Sequence, residues 1–247
     1  MPDIPATALA ERRAQLAAAL ADVRARIATA CLAAGRDPAE VTLVAVTKTY
    51  PASDVHVLAD LGVRDVGENR DQEAAPKVAA VSAAGCRVRW HFVGRLQRNK
   101  CRSVAGYADV VQSVDSVRLA TALADAARGR ERSLDVLVQV SIDGDPARGG
   151  ALAESSDPDR ALSAVTAAVA RLEPVRLSGL MAVAPMDWTP EAAFARLAEI
   201  ADRVRAEHPG ATTLSAGMSA DLEAAIAHGA THVRVGSALL GKRSTLR

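Results

Sequence analysis

The chain has 247 residues, 49% of them hydrophobic and 24% charged, and a formal net charge of +1 at pH 7. That balance describes an ordinary soluble globular protein with material for one large core or two small ones, and it excludes a globally basic nucleic-acid binder and an acidic disordered tail. No apolar run approaches the ~20 residues a bilayer span needs, and Cys31, Cys86 and Cys101, far apart and outside any CxxC, read as reduced cytosolic thiols without a disulfide or zinc site.

In chain order, the N-terminal stretch lacks the charged and then apolar layout of a signal peptide. It predicts a long helix over about residues 6–34, stopping near Gly35. Short apolar strands then alternate with amphipathic helices. The strands are 42–48, 64–69, 89–94, 109–114, 134–142, 176–183, 212–218 and 231–239. The helices are 53–60, 71–83, 96–105, 116–128, 158–172, 190–207 and 219–228. Pro190 suits a first helical turn. Ser219 reads as an N-cap, with Asp221 and Glu223 in the first turn and Gly229 as the stop. The segment "IDGDPARGGALAESSDP" (142–158) reads as a long loop, and no linker-like stretch divides the chain, so one domain over residues 1–247 is expected.

Strict β-α alternation favours a parallel sheet, and at this length the natural solution is a (β/α)8 TIM barrel with an extra N-terminal helix, ahead of a doubly wound open sheet. Chemistry in such a barrel gathers at the C-terminal strand ends. Here those ends carry Lys48; Glu68 and Asn69; His91 to Gly94; Ser113 and Asp115; Ser141 and Asp143; Met181; Met218 and Ser219; and Arg234, Gly236 and Ser237.

Two ends suit an anion. "SAGMSADLE" sets Gly217 just before a helix N-terminus, and "RVGSALLG" sets Gly236 and Ser237 in the following turn, where a glycine admits close backbone approach. The loops after the last two strands of such barrels are a recurrent phosphate site. Lys48 stands at the mouth of the first strand in a chain with only four lysines. By itself it reads as a strand-edge lysine reaching solvent. Beside a phosphate site, an amine desolvated by the mouth can add to an aldehyde as a Schiff base. A phosphorylated aldehyde is either pyridoxal phosphate or a sugar phosphate.

Other patterns carry less. "GSALLGKR" approaches a P-loop, but Arg243 stands where the magnesium-binding hydroxyl belongs. "GRLQRNKCR" (94–102) is basic without interleaved aromatics and reads as a solvated helix start. His228 and His232 straddle Gly229 and share no helix face, so no metal site is expected.

The motifs "VAVTKTYP", "VGENRDQEA", "WHFVGRLQRNK", "LSGLMAV" and "LSAGMSADLEAAIAHGATHVRVGSALLG" closely resemble the pyridoxal phosphate homeostasis protein family, over about residues 9–241. That family is similar to the N-terminal barrel of alanine racemase. The resemblance implies pyridoxal 5′-phosphate (PLP) held as an internal aldimine by Lys48. It implies a phosphate site of Ser219, Gly236 and Ser237 with the backbone near Met218, Arg234 facing the pyridine nitrogen, and Asn69 lining the cofactor near its ring. Ser237 stands where threonine is common, Arg70 follows "GEN" where tyrosine is frequent, and Arg148 replaces a usual lysine.

A guanidinium cannot take the ring nitrogen's proton, so the ring is expected to stay neutral and to be a weak electron sink. A racemase also needs a second base, by resemblance a tyrosine on another domain, and Tyr50 and Tyr107 lack that context. The implied role is intracellular PLP homeostasis, as a cofactor carrier and buffer that yields PLP to an amine or an apoenzyme. The alternative is an amino-acid racemase or other PLP-dependent enzyme of low activity. A Schiff-base aldolase and a nucleic-acid module acting through Arg95, Arg98 and Lys100 are further readings. Expected partners are PLP, amino acids and, transiently, PLP-requiring apoenzymes, for a cytoplasmic monomer with no nucleic-acid or membrane partner.

Overall fold

In the computed structural model, which describes residues 6–241, the alternation closes into a barrel. Its strands are β1 (Thr42–Val46), β2 (Asp65–Glu68), β3 (Arg89–Phe92), β4 (Val110–Val114), β5 (Leu134–Ser141), β7 (Val175–Met181), β8 (Thr213–Ser215) and β9 (His232–Val235). Every pairing is parallel; β1 lies between β9 and β2, and a β4–β5 pairing completes the ring. This is an α/β TIM barrel. The remaining strand, β6 (Ala151–Leu152), pairs with the end of β5. It falls in the segment read as a long loop, because two residues are too short to show alternation. Gly150 makes the approach possible at φ 96, since a Cβ there would sit 2.6 Å from Ser141 N.

The helices are α1 (Ala6–Ala33), α2 (Ala52–Asp60), α3 (Asp71–Ala83), α4 (Cys101–Tyr107), α5 (Val117–Ala127), α6 (Leu162–Arg171), α7 (Pro190–Glu207), α8 (Leu222–Ala227) and α9 (Ser237–Leu240). α1 presents Leu16, Leu20, Val23, Ile27 and Ala30, spaced by fours and threes, to a core shared with Leu58, Leu222, Ile226 and Leu239. Arg12 locks it to α2 through a bidentate contact with Asp54, and Arg26 pairs with Glu223 in the first turn of α8. α7 begins where expected because Thr189 Oγ1 accepts the Ala192 N–H and Pro190 opens the first turn.

Several boundaries move, among them the ends of the expected strands 42–48 and 212–218, which stop at Val46 and Ser215. The expected helix 96–105 is a 3-10 turn (Arg98–Lys100) running into α4. α6 starts at Leu162, after a bridge between Leu152 and Ala161 that extends the β6 excursion. α8 starts at Leu222 behind Asp221, so Ser219 does not cap it. The last strand ends at Val235, and Gly236 (φ −114, ψ −77) turns the chain into α9; "SALL" is an apolar run in which periodicity cannot separate strand from helix. Lys242 and Arg243 of the P-loop-like stretch lie outside the described residues.

Val110, Leu137 and Met181 form an apolar cluster of their own, while larger cores fill the layer between sheet and helices. A hydrogen bond from Ser215 on β8 to Gln112 on β4 joins strands that are not neighbours, so it crosses the barrel interior. Among the described residues, no helix is long and apolar enough to cross a membrane.

Candidate functional site

The mouth of the barrel begins with a tight turn after β1. Tyr50 N–H donates to Thr47 O at 3.0 Å, enclosing Lys48 and Thr49, and Thr49 sits at φ 72. A β-branched residue in that region costs about 1–3 kcal/mol and persists where its surroundings hold it. The Thr49 N–H is held by Glu73 Oε2 at 3.2 Å. Thr47, fully buried, is held on both sides: its hydroxyl donates to Glu68 Oε1 at 2.6 Å, and Lys77 Nζ donates to its carbonyl at 2.7 Å. Lys77 and Glu68 are themselves a buried ion pair at 2.5 Å. Lys48, the next residue, projects from this fixed base and is exposed. The desolvated amine expected at the mouth is therefore not Lys48 in this structure; among the described residues the buried lysine is Lys77.

Lys77 escapes strand-end reasoning because it lies in an amphipathic helix, where lysines normally face water. Its spacing carried the signal: it falls three residues after Ala74 and four before Val81, on the stripe that α3 buries.

The two glycine turns converge. Gly217 takes φ 86 with its Cα so close to α8 that a Cβ would lie 2.6 Å from Ala225 Cβ. Met218 follows, half-exposed, its N–H donating to Asp221 Oδ1 at 2.6 Å. Ser219 faces the neighbouring turn instead of its own helix. Its hydroxyl accepts the Ala238 N–H at 3.3 Å and lies 3.3 Å from the Ser237 hydroxyl. Gly236 packs on the end of β1, where an added Cβ would stand 3.4 Å from Val46 O, two residues before Lys48. Tyr50 closes the arrangement by donating its hydroxyl to Gly241 O at 2.6 Å. Hydroxyls, a backbone N–H and the lysine turn thus belong to one connected patch.

Arg234 enters from β9, fully buried, with Nη1 donating to Ser215 Oγ and Nη2 to Ala182 O, both at 2.8 Å. Burial lowers its pKa to about 10, against the opposing pull of Asp221. Even so, it remains a cation at neutral pH. Ser215 continues to Gln112, His91 and Asp65, a line of residues that strand-end reasoning did not single out apart from His91.

Asn69, just after β2, lies against Gly94: a Cβ at Gly94 would overlap Asn69 O, and Val93 N–H donates to Glu68 O at 2.8 Å. This contact explains why "VGEN" and "HFVG" occur together. Asn69 Oδ1, Glu68 Oε2 and Ser113 Oγ are buried without a hydrogen-bond partner among the described residues; Glu68 ends β2, Asn69 follows it, and Ser113 is the penultimate residue of β4. Unpaired buried acceptors are rare and costly; Glu68 Oε2 belongs to the carboxylate paired with Lys77 of α3, whereas Asn69 Oδ1, just past the end of β2, suits a site that receives polar atoms from a ligand. Together with paired serine hydroxyls, an exposed amine and a buried guanidinium, it fits a phosphorylated aromatic aldehyde such as PLP.

Peripheral expectations resolve individually. Arg70 is exposed and lies 3.5 Å from Glu73, and Arg148 pairs with Asp143 at 3.1 Å while Ser141 donates to the same carboxylate. In the basic run, Arg95 and Arg98 are exposed, as a solvated helix start requires, while half-buried Lys100 lies 3.7 Å from the buried Asp71.

The alanine racemase N-terminal domain family matches residues 19–244. A pyridoxal phosphate homeostasis protein of Mycobacterium tuberculosis is 48% identical over 96% of this chain and 96% of its own. The Escherichia coli protein of that name is 40% identical over 91% and 95%. PipY of Synechococcus elongatus, solved with PLP bound, superposes with a TM-score of 0.74 at 33% identity, over 92% of this chain and all of its own. On these matches, the chain belongs to the pyridoxal phosphate homeostasis protein family.

Proposed function

We propose that the chain binds PLP reversibly and serves PLP homeostasis as a carrier and buffer, with Lys48 Nζ forming the Schiff base to its aldehyde. The observation that carries this reading is the packing of the Ser219–Ser237–Ala238 patch, through Gly236, onto the strand that delivers Lys48. Relatives named for PLP homeostasis, and PLP bound in PipY, support the choice of ligand. PLP supplies an aldehyde for amines and a ring that withdraws electrons from the bond formed there.

The protein's own groups have distinct tasks. The Ser219 and Ser237 hydroxyls and the Ala238 N–H donate to the phosphate, with Gly236 and the Met218 backbone shaping the cradle. The turn at Thr47 to Tyr50 presents the Lys48 amine, and Asn69 lines the ring. Arg234 donates to the ring nitrogen, and because a guanidinium gives a hydrogen bond without surrendering its proton, the ring stays neutral.

Neither tyrosine is disposed as a second base: Tyr50 spends its hydroxyl on Gly241 O, and burial pushes the Tyr107 hydroxyl above its usual range. Holding is thereby favoured over turnover, and an incoming amine or apoenzyme displaces Lys48 by exchange. A single domain over residues 1–247, a monomer, a cytoplasmic location and transient contact with apoenzymes belong to the same proposal.

The test is the visible spectrum after incubation with PLP and gel filtration. The reading expects a yellow protein whose band is lost on adding hydroxylamine and absent in Lys48→Ala. A colourless wild-type protein overturns it. Conversion of L- to D-alanine at rates abolished by Lys48→Ala would favour a racemase instead.

A further inference from the structure

A chain of four hydrogen bonds crosses the barrel from Arg234 to Asp65. Arg234 Nη1 donates to Ser215 Oγ at 2.8 Å, and Ser215 Oγ lies 2.7 Å from Gln112 Oε1. Gln112 Nε2 lies 2.8 Å from His91 Nδ1, and His91 Nε2 lies 2.8 Å from Asp65 Oδ1. Arg234, Ser215, Gln112 and His91 are each at most 5% exposed.

With His91 neutral, the two ends dictate the direction of every bond. A guanidinium only donates, and an ionised carboxylate only accepts. Ser215 oxygen therefore accepts from Arg234 and passes its own hydrogen to the Gln112 carbonyl. The amide N–H is left to donate to His91 Nδ1, and the proton on His91 Nε2 goes to Asp65. Turning the amide over would set a lone pair of neutral His91 against the Asp65 carboxylate. The polar contacts of the Arg234 Nη atoms go to a hydroxyl and a carbonyl, neither of them a carboxylate. Asp221 acts on this buried cation through space, and an oriented line of dipoles connects it as well to an anion at the opposite end of the barrel, where His91 and Gln112 line a cavity of about 260 Å³.

We propose that Ser215, Gln112 and His91 are positioning residues for Arg234, fixing its guanidinium toward the cofactor ring and tying it to Asp65 as a remote counter-ion. This rests on the reading that Arg234 faces the ring nitrogen. Weakening the line leaves the guanidinium less firmly held, and the electron density of the ring changes although no mutated atom touches it.

The test loads Arg234→Gln, Ser215→Ala, Ser215→Thr and Gln112→Met proteins with PLP and follows the visible band against pH. Arg234→Gln is expected to move the titration midpoint. Ser215→Ala and Gln112→Met are expected to move it in the same direction by about half to one pH unit, and Ser215→Thr, which keeps the hydroxyl, to restore the wild-type value. Combining Gln112→Met with Arg234→Gln is expected to add nothing to Arg234→Gln alone.

If Arg234→Gln shifts the midpoint while folded Ser215→Ala and Gln112→Met titrate as wild type, the positioning role is wrong and the ring contact stands. If Arg234→Gln itself leaves the band unmoved, the ring contact fails and the positioning role falls with it. Should Gln112→Met not fold, Ser215→Ala, which removes one oxygen, decides alone. Nitrogen NMR of the protein without cofactor gives a separate readout: His91 is expected protonated at Nε2 and bare at Nδ1, and the opposite tautomer overturns the proposal.

Discussion

Lys77 and Glu68 form an ion pair 2.5 Å long, with side chains 8% and 1% exposed, directly beneath the residue that precedes Lys48. The same ammonium binds Thr47 O and the same carboxylate oxygen binds the Thr47 hydroxyl, so the pair sets the base of the lysine turn as well as closing the space under α3.

Removing one partner of a buried pair strands the other charge. Lys77→Met is therefore expected to destabilise the fold by about 3–5 kcal/mol, read as a lower urea midpoint at unchanged slope. Lys77→Met combined with Glu68→Leu is expected to recover most of that loss. A single variant as stable as wild type would show that the pair is solvated in solution.

Gly94 makes a sharper steric prediction. Its missing Cβ leaves room for Asn69 O, a backbone atom that cannot step aside, so Gly94→Ala is expected to cost about 2–3 kcal/mol. Gly106, inside α4 with open space around it, is the control. Gly106→Ala is expected to stabilise by about 0.5–1 kcal/mol. Thermal melts of both variants check the pair.

The serine patch predicts a selective loss. Each hydroxyl that donates to a phosphate dianion contributes a charge-assisted bond, so Ser219→Ala and Ser237→Ala are each expected to weaken PLP binding about tenfold or more. Pyridoxal, which lacks the phosphate, is expected to bind both variants as it binds wild type. Equal losses for the two ligands would mean that the serines act on the fold and not on the phosphate.

His232 governs a mild-acid stability window. Burial, with the neighbouring His91 and the cations Arg89 and Arg234 adding to it and Asp65 opposing, lowers its pKa to about 4. Between about 4 and its unfolded value near 6.5, the unfolded chain binds the proton and the folded chain does not. Its contribution is thus fully present above about pH 6.5 and is lost as pH falls toward 4, on the order of 2–3 kcal/mol. Denaturant midpoints measured across this range should slope less in His232→Asn. Asp65, whose pKa is lowered on balance by His91 despite its own burial, acts at more acid pH and leaves that comparison intact.

The parts of this molecule that could be read in the sequence are those in which one residue's meaning is local. Strand and helix alternate with different periods, so the barrel was legible. Gly217, Gly236 and Lys48 punctuate strand ends, so the mouth was legible too. Gln112 and Ser215, by contrast, gain their role only from a partner 103 residues away. β6 is two residues long and leaves no pattern. Lys48 falls in the turn after β1, and its exposure is not legible in the sequence because it depends on how the turn at Thr49 directs the side chain. That turn holds a threonine in a conformation its residue type disfavours.

The central claim is that Lys48, and no other amine, holds the aldehyde of PLP. Borohydride reduction of the PLP-loaded protein, followed by peptide mass spectrometry, tests it most directly. The account predicts a phosphopyridoxyl group on Lys48 in the peptide containing "VAVTKTYP", and none in Lys48→Ala. A reduced adduct on Lys77 or Lys100, or no adduct on a protein that carries PLP, would contradict it.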